Sequence, residues 1–101
     1  MDTYKTMILQ AIETKFIGPT NVKGSRVKAI AQAGSLTLHW NHRLNSEDNH
    51  IAAAKALANK MQWAGNWYGG GLANSGYAFV CAPHRFPDPA FTVQEEQEKV
   101  S

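Results

Sequence analysis

The stretch SRVKAIAQAGSLTLHW, residues 25–40, carries the clearest strand pattern of this chain. In its first half small apolar residues alternate with larger or charged ones, so one side of an extended chain holds Val27, Ala29 and Ala31 and the other holds Arg26, Lys28 and Ile30. Ala33 and Gly34 predict a tight turn into a second strand. That strand alternates as well, with Leu36, Leu38 and Trp40 on the inner side and Thr37, His39 and Asn41 on the outer side. The stretch therefore predicts an antiparallel hairpin with one apolar and one polar face.

The residues before this hairpin predict a further strand and an unusually long loop. MILQAIETKFI, residues 7–17, has the length and the content of a strand, although its alternation is imperfect. The loop GPTNVKGS, residues 18–25, then takes eight residues, whereas a plain hairpin needs only about two to five. We expect the three strands to form an antiparallel meander and the long loop to do more than link them.

Downstream of the hairpin, residues 45–63 predict an amphipathic helix. Asn45 or Ser46 can accept a backbone N–H at its start, and two acids follow in the first turn, where the helix dipole favours negative charge. One apolar stripe recurs at three- and four-residue steps and consists of Ile51, Ala54, Leu57, Ala58 and Met61. The abundant alanines favour the helix and suit close packing on the small-residue face of the preceding strands. We expect the helix to end near Trp63, with Gly65 as its stop signal.

The last third of the chain predicts a second hairpin and an irregular end. NWYGGGL, residues 66–72, and GYAFVCA, residues 76–82, are short strands around an ANSG turn. Prolines prevent regular structure over residues 83–89, and an acidic, disordered tail is expected over residues 91–101. The predicted fold is a single α+β domain over residues 1–90, with an antiparallel sheet of about five strands in the order βββαββ and one helix packed on one face.

The composition indicates a water-soluble, cytoplasmic protein. Of its 101 residues, 44% are hydrophobic and 18% charged, which suits one globular domain with a modest core. No apolar run reaches the roughly 20 residues that a membrane helix needs, and the start MDTYKTMILQ lacks the pattern of a signal peptide. The single cysteine, Cys81, excludes an internal disulfide and suits a reducing compartment. Between Lys15 and Gln94, eight Lys and Arg residues stand against three acids, and this excess can attract polyanions or acidic protein surfaces.

The long loop and its flanks form the strongest candidate site. Its glycines permit sharp turns, and successive backbone N–H groups in such a loop can form an anion-binding nest. Short polar side chains come from Thr20, Asn21 and Ser25, and positive charge comes from Lys23, Arg26 and Lys28. Arg26 and Lys28 lie on the sheet face opposite the alanines. We expect them to form one exposed basic strip with Lys15 and His39, and such a strip is suited to phosphate contacts. The alternative is a packed loop whose charges are merely solvated.

Other constellations are weaker candidates. Trp67 and Tyr68 can stack on unpaired bases or anchor a protein interface, or they can be core packing that closes the helix onto the last hairpin. The glycines at 69–71 lack the Lys-Ser/Thr of a phosphate-binding loop and indicate a bulge or the close approach of another backbone. The four histidines and the one cysteine match no zinc spacing, and Cys81 with His84 is the closest nucleophile–base pair. We therefore expect no metal, no cofactor and no enzymatic activity.

Three segments, AIETKFIGPTNVKGSRVKA, NHRLNSEDNHIAAAKALANKMQW and GGGLANSGYAFV, resemble a family of short uncharacterised proteins carried by phages and plasmids. The resemblance covers residues 10–81 and is most specific in the GPTN-x-x-GSR-x-KA loop. It implies no particular activity. It does imply a mobile-element context, in which small proteins often bind nucleic acid or inhibit host defences such as CRISPR or restriction complexes.

The sequence as a whole predicts a small non-enzymatic binding protein of a mobile genetic element, which contacts nucleic acid (DNA or RNA) through its basic loop and sheet face. The predicted binding residues are Lys15, Thr20, Asn21, Lys23, Ser25, Arg26, Lys28, His39, Trp67 and Tyr68. The alternative is a protein–protein inhibitor of a host defence system, of the anti-CRISPR or anti-restriction type, whose partner is a host nucleoprotein complex. No membrane partner is expected, and a sheet with uncovered edges can pair with a second copy into a homodimer.

Overall fold

A computed structural model describes residues 10–82 and 88–94, which form an antiparallel sheet of six strands with one helix against it. The elements are β1 (Ala11–Ile17), β2 (Arg26–Ala31), β3 (Gly34–His39), α1 (Ser46–Met61), β4 (Gly65–Gly71), β5 (Tyr77–Ala82) and β6 (Phe91–Val93). The strand order across the sheet is β3-β2-β1-β5-β4-β6. The predicted α+β class with one helix is confirmed, whereas the strand count is six rather than about five. No helix in the described part of the chain is long and apolar enough to cross a membrane.

The hairpin of β2 and β3 forms as predicted, but its turn is displaced by one residue. Backbone pairing continues to Ala31 opposite Gly34, so the two turn residues are Gln32 and Ala33. Gly34 is instead the first residue of β3, where the terminal methyl carbon of Met61 lies 2.7 Å from the position that a Cβ atom would occupy. A Cβ atom there would require the flexible end of the Met61 side chain to shift, and Gly34 has no positive φ that the turn would demand.

Helix α1 begins at the predicted cap and ends earlier than expected. The side chain of Asn45 accepts a hydrogen bond from a backbone N–H of the first turn at 2.7 Å, which satisfies one of the free donors of a helix start. At the other end Gln62 adopts the left-handed conformation, and the Trp63 N–H turns back to the last helical turn at 2.9 Å. The helix therefore stops at Met61. Gly65, predicted as the stop signal, is the first residue of β4 and has a φ of +133°.

The core lies between α1 and the sheet and uses small residues at the centre of the contact. Val27 and Ala29 of β2 are buried, and so are the α1 residues Ala53, Ala54, Leu57 and Ala58. The predicted match between the helix alanines and the small-residue face of β2 is thus present. Toward β4 and β6 the core becomes aromatic, with Trp67 stacked on Phe91 at a centroid separation of 5.7 Å.

The predicted start of the disordered tail at residue 91 is wrong, because residues 91–93 form the sixth strand. Residues 91–93 pair with the start of β4, with Phe91 opposite Trp67 and Val93 opposite Gly65. Both Phe91 and Val93 are buried, so this short segment completes the core instead of opening a disordered tail. The proline-rich residues 83–87 and the acidic residues 95–101, for which irregular structure and disorder were predicted, lie outside the described residues.

Candidate nucleic-acid interface

The face of the sheet opposite α1 carries a strip of positive charge. Val27 and Ala29 are buried under the helix, so the alternate residues of β2 point to the other face. On that face Lys28 lies opposite Lys15 of β1 on one side and opposite Thr37 of β3 on the other. In the next row of the sheet Arg26 lies opposite His39. The basic strip is defined here as Lys15, Arg26, Lys28 and His39, all of them exposed or half-exposed.

The two lysines of the basic strip form a like-charge pair across β1 and β2. Residues directly opposite in an antiparallel pair have Cβ atoms about 4.5–5.5 Å apart, and like charges there destabilise the sheet. Glu13 borders the strip on the same face, but it lies opposite Ile30, a diagonal step of about 7–8 Å from Lys28. The row formed by Ile17, Arg26 and His39 contains no acid. Positive charge therefore dominates this end of the sheet face.

The 18–25 loop is held in shape by hydrogen bonds of its own. The Thr20 hydroxyl accepts from the backbone N–H groups of Val22 and Lys23 at 3.3 and 3.0 Å, and the Thr20 N–H donates to the Lys23 carbonyl at 2.7 Å. Two N–H groups that an anion-binding nest would use are therefore already occupied. In this loop Thr20 acts as a structural residue, and the groups available to a phosphate are the side-chain cations.

The tip of the loop exposes an apolar side chain that sequence reasoning missed. Val22 is 87% exposed, next to the exposed Asn21, one of the predicted contact residues. The signal was present in the sequence, since an isolated valine within a run of turn-forming residues has no neighbouring apolar residue to pack on. Ser25 at the end of the loop is half-exposed, and its carbonyl accepts the Trp40 N–H at 2.9 Å, which ties the loop to the end of β3.

A shallow depression of about 310 Å³ joins the loop to the basic strip. It is lined by Lys23, Arg26, Thr37, Leu38 and His39. The Arg26 Nε donates to the Gly24 carbonyl at 3.2 Å, which orients the guanidinium while its terminal nitrogens remain donors. Three basic side chains around one depression suit a phosphate group, because charge-assisted hydrogen bonds to phosphate oxygens are among the strongest in proteins.

The aromatic candidates lie elsewhere. Trp67 is fully buried on the helix side of the sheet, and its indole N–H donates to the Trp63 carbonyl at 3.1 Å. The prediction of Trp67 as a partner contact is therefore wrong, because this ring packs between Trp63 and Phe91 in the core. Tyr68 follows on the opposite face of β4 and is half-buried, with β5 and β1 between it and the lysine of β2. The basic strip and the aromatic pair do not form one site.

The glycines at 69–71 form part of an unbroken strand. β4 pairs with β5 from Asn66 to Gly71 without a bulge. Gly69 is required by packing, since a Cβ atom there would lie 2.6 Å from the ring of Phe79. The close approach predicted at these glycines thus comes from an aromatic ring of the neighbouring strand. A depression of about 280 Å³ adjoins them, between Glu47 of α1 and Asp88.

Of the predicted Cys81–His84 pair, only Cys81 lies in the described part of the chain. Cys81 is half-buried, and its thiol donates to the Ala64 carbonyl at 3.7 Å, while His84 lies outside the described residues. Within residues 10–82 and 88–94, no three His, Cys, Asp or Glu side chains come together as metal ligands would. His39 points to the face of the sheet opposite α1, and His42 is exposed in the connection to α1.

His50 has a structural role that the sequence did not disclose. Its Nδ1 lies 2.8 Å from the hydroxyl oxygen of Thr14, and both residues are buried. The imidazole lies among aromatic rings, 5.9 Å from Trp40 and 4.8 Å from Tyr77 between centroids. Burial lowers the pKa of His50 below its ordinary value of 6.5, because the charged ring would lose its hydration. The Thr14–His50 pair therefore joins α1 to β1 with a neutral imidazole.

Comparison of the chain with protein-family models, with curated proteins and with solved structures gave no match. The resemblance to short phage and plasmid proteins therefore stays a prediction. What the protein does is inferred from its residues and their geometry.

Proposed function

We propose that this protein is a non-enzymatic binding module that contacts nucleic-acid phosphates through the basic strip, with Lys23 of the loop beside it. The placement of Lys15 directly opposite Lys28 carries the proposal. A like-charge pair weakens the free sheet, and a polyanion that neutralises both lysines removes that repulsion on binding. The same pair is hard to explain as solvated surface, since an alternation of charges would stabilise the sheet instead.

The chemistry of the surface indicates contacts to the backbone of the nucleic acid rather than to its bases. The two rows of the strip combine cations with Thr37 and Ile17 and contain no Phe, Tyr or Trp ring, so His39 is the one side chain there that could stack on a base. Cationic contacts to phosphates carry little sequence information, and each one releases counterions. Binding is therefore expected to be strongly salt-dependent and only modestly sequence-dependent.

The first test measures the affinity of the protein for labelled single-stranded DNA, double-stranded DNA and single-stranded RNA of equal length at low and moderate salt. Replacing Lys15 and Lys28 together with alanine is expected to weaken binding and to reduce the slope of log affinity against log salt by roughly 1.4 for single strands or 1.8 for duplex DNA. Fluorescence anisotropy measures both quantities.

The chain offers a matched control for this variant. Lys55 and Lys60 are exposed on α1, on the other side of the molecule, so replacing both with alanine removes the same charge away from the strip. Affinity and salt slope should then change little. The proposal is wrong if the wild type binds none of the three nucleic acids at low salt, or if the two double variants weaken binding equally.

A further inference from the structure

Strand β3 is an edge of the sheet, and its outer backbone groups meet no other strand in the part of the chain that the structure describes. The Trp40 N–H donates to the Ser25 carbonyl at 2.9 Å, in line with the register between β2 and β3. In an antiparallel ladder, hydrogen-bonded and non-hydrogen-bonded pairs alternate, so the even-numbered residues of β3 bond inward to β2. The N–H and C=O groups of Ser35, Thr37 and His39 therefore point away from the sheet.

Within residues 10–82 and 88–94, this edge lacks the features that usually protect an edge strand. Its sequence GSLTLH contains no proline, lysine or acid, and its pairing with β2 runs over all six residues without a bulge. Natural sheets block such edges with charges, prolines, bulges or a covering element. Leu36 and Leu38, which face the helix side, remain half-exposed at the border of the core. A strand with these properties is suited to pairing with another strand.

We propose that two copies of this chain pair antiparallel through β3, with Thr37 opposite Thr37 of the second copy. In this register Ser35 meets His39 of the second copy, so the outward-facing groups of both strands oppose one another and can exchange about six backbone hydrogen bonds. On the helix side Leu36 meets Leu38 of the second copy, and two half-exposed leucine pairs become buried. The strand is thus complementary to itself, and its side chains bring no like charges together.

The dimer also completes the proposed nucleic-acid interface, and this step rests on the proposed function. Lys15, Lys28 and Thr37 lie in one row across the strands. A two-fold axis between the two threonines extends this row with Lys28 and Lys15 of the second copy, on the same face of a continuous twelve-stranded sheet. With about 4.8 Å between strands, the outer lysine Cα atoms lie about 24 Å apart. That span corresponds to about seven nucleotides at 3.4 Å per step of one strand.

The first experiment measures mass without nucleic acid. Sedimentation equilibrium of the wild type from about 1 to about 100 µM should show conversion to twice the monomer mass by mass action. A protein that remains monomeric over this whole range overturns the proposal.

The second experiment tests the register by cross-linking, in a Cys81→Ala background that removes the native thiol. Hydrogen-bonded opposite residues have Cα atoms about 5.5 Å apart, and their Cβ atoms lie at about the same separation, which exceeds the roughly 3.5–4.5 Å that a direct disulfide needs. Thr37→Cys should therefore form a covalent dimer with a short bifunctional thiol reagent rather than by direct oxidation. Ser35→Cys, equally exposed, is the matched control, since the two positions 35 lie about 14 Å apart in the dimer. No cross-link at position 37, or equal cross-linking at both positions, overturns the register.

The failure of this inference and the failure of the proposed function can be told apart. Replacing Lys15 and Lys28 with alanine should leave the sedimentation behaviour unchanged or strengthen the dimer slightly, because these lysines lie away from the β3 edge. A dimer that binds no nucleic acid refutes the proposed function alone. A monomer that binds nucleic acid refutes the dimer alone.

Discussion

The Thr14–His50 pair shows how one buried polar contact can connect two elements of a small core. Thr14 lies in the central strand β1 and His50 in the second turn of α1, and the hydrogen bond between them is 2.8 Å long. A buried imidazole without a partner would be costly, so the threonine hydroxyl satisfies a group that the helix brings into the core. The contact therefore fixes where the helix lies on the sheet, provided that the ring stays neutral.

We expect the stability of the protein to fall at mildly acidic pH because of His50. The pKa of His50 is lowered by burial from its ordinary value of 6.5. Below that value the unfolded chain takes up a proton that the folded chain resists. The stabilising contribution is thus complete above about pH 6.5 and is lost as the pH decreases toward the lowered pKa of the folded state, by up to about 1.4 kcal/mol per pH unit. Urea denaturation between about pH 5 and pH 8 measures the slope.

Two variants separate this histidine from the others. His50→Gln should be less stable at neutral pH and should lose this part of the acid slope, since no titrating ring remains in the core. His42→Gln, at an exposed position, should keep the slope of the wild type. An unchanged slope in His50→Gln would show that other groups cause the acid sensitivity.

Among the elements, those with a local pattern could be predicted from the sequence. The β2–β3 hairpin and α1 follow from alternation, from the Asn45 cap and from the apolar stripe, all of which act over a few neighbouring residues. The basic strip could be predicted for the same reason, because alternation alone assigns Arg26 and Lys28 to one face. The burial of Trp67 was predicted only as an alternative to a partner contact, since the glycines around it leave β4 without a readable pattern. Strand order depends on contacts between distant residues, which no local pattern records.

β6 is the element that was not predicted from the sequence, and we expect it to be essential to the core. Phe91 is 6% exposed and packs on Trp67 and Phe79. Phe91→Ala should therefore destabilise the protein by about 3–5 kcal/mol, through lost burial and the cavity left behind. Chemical denaturation measures the change. Thr92→Ala, at the exposed position between the two buried ones, should cost less than about 1 kcal/mol. Equal effects of the two substitutions would place β6 outside the cooperative core.

In the molecule as a whole, the like charges on the sheet face opposite α1 lower the stability of the free protein, and the same charges would attract a polyanion. One face of the sheet is closed by α1, and the other carries cations that repel each other in the free protein. A surface optimised for stability alone would alternate charges across the strands. We infer that the face opposite α1 is electrostatically unfavourable in the free protein, and that the proposed nucleic-acid partner would supply the compensating charge.

A single charge reversal should raise the stability of the free protein and weaken its binding to nucleic acid. Lys28→Glu places an acid opposite Lys15 and between cations of the same face, so the free protein should gain about 0.2–1 kcal/mol of stability. The same change should abolish nucleic-acid binding at moderate salt, because it replaces an attraction to phosphate with a repulsion. Thermal unfolding and anisotropy on one preparation measure both effects. Loss of stability together with loss of binding would indicate that Lys28 is a structural residue.

The strand order has a consequence for how the chain is made. β1 pairs on one side with β2, which follows shortly after it, and on the other side with β5, where Ala11 lies opposite Val80. At a synthesis rate of about 5–20 residues per second, roughly two to eight seconds pass between the synthesis of β3 and the synthesis of β5. Throughout that interval both outer strands of the meander are open. If the proposed β3 dimer forms, ribosomes that follow each other on one message present matching open strands at the same time, and pairing through β3 can begin before β5 is made.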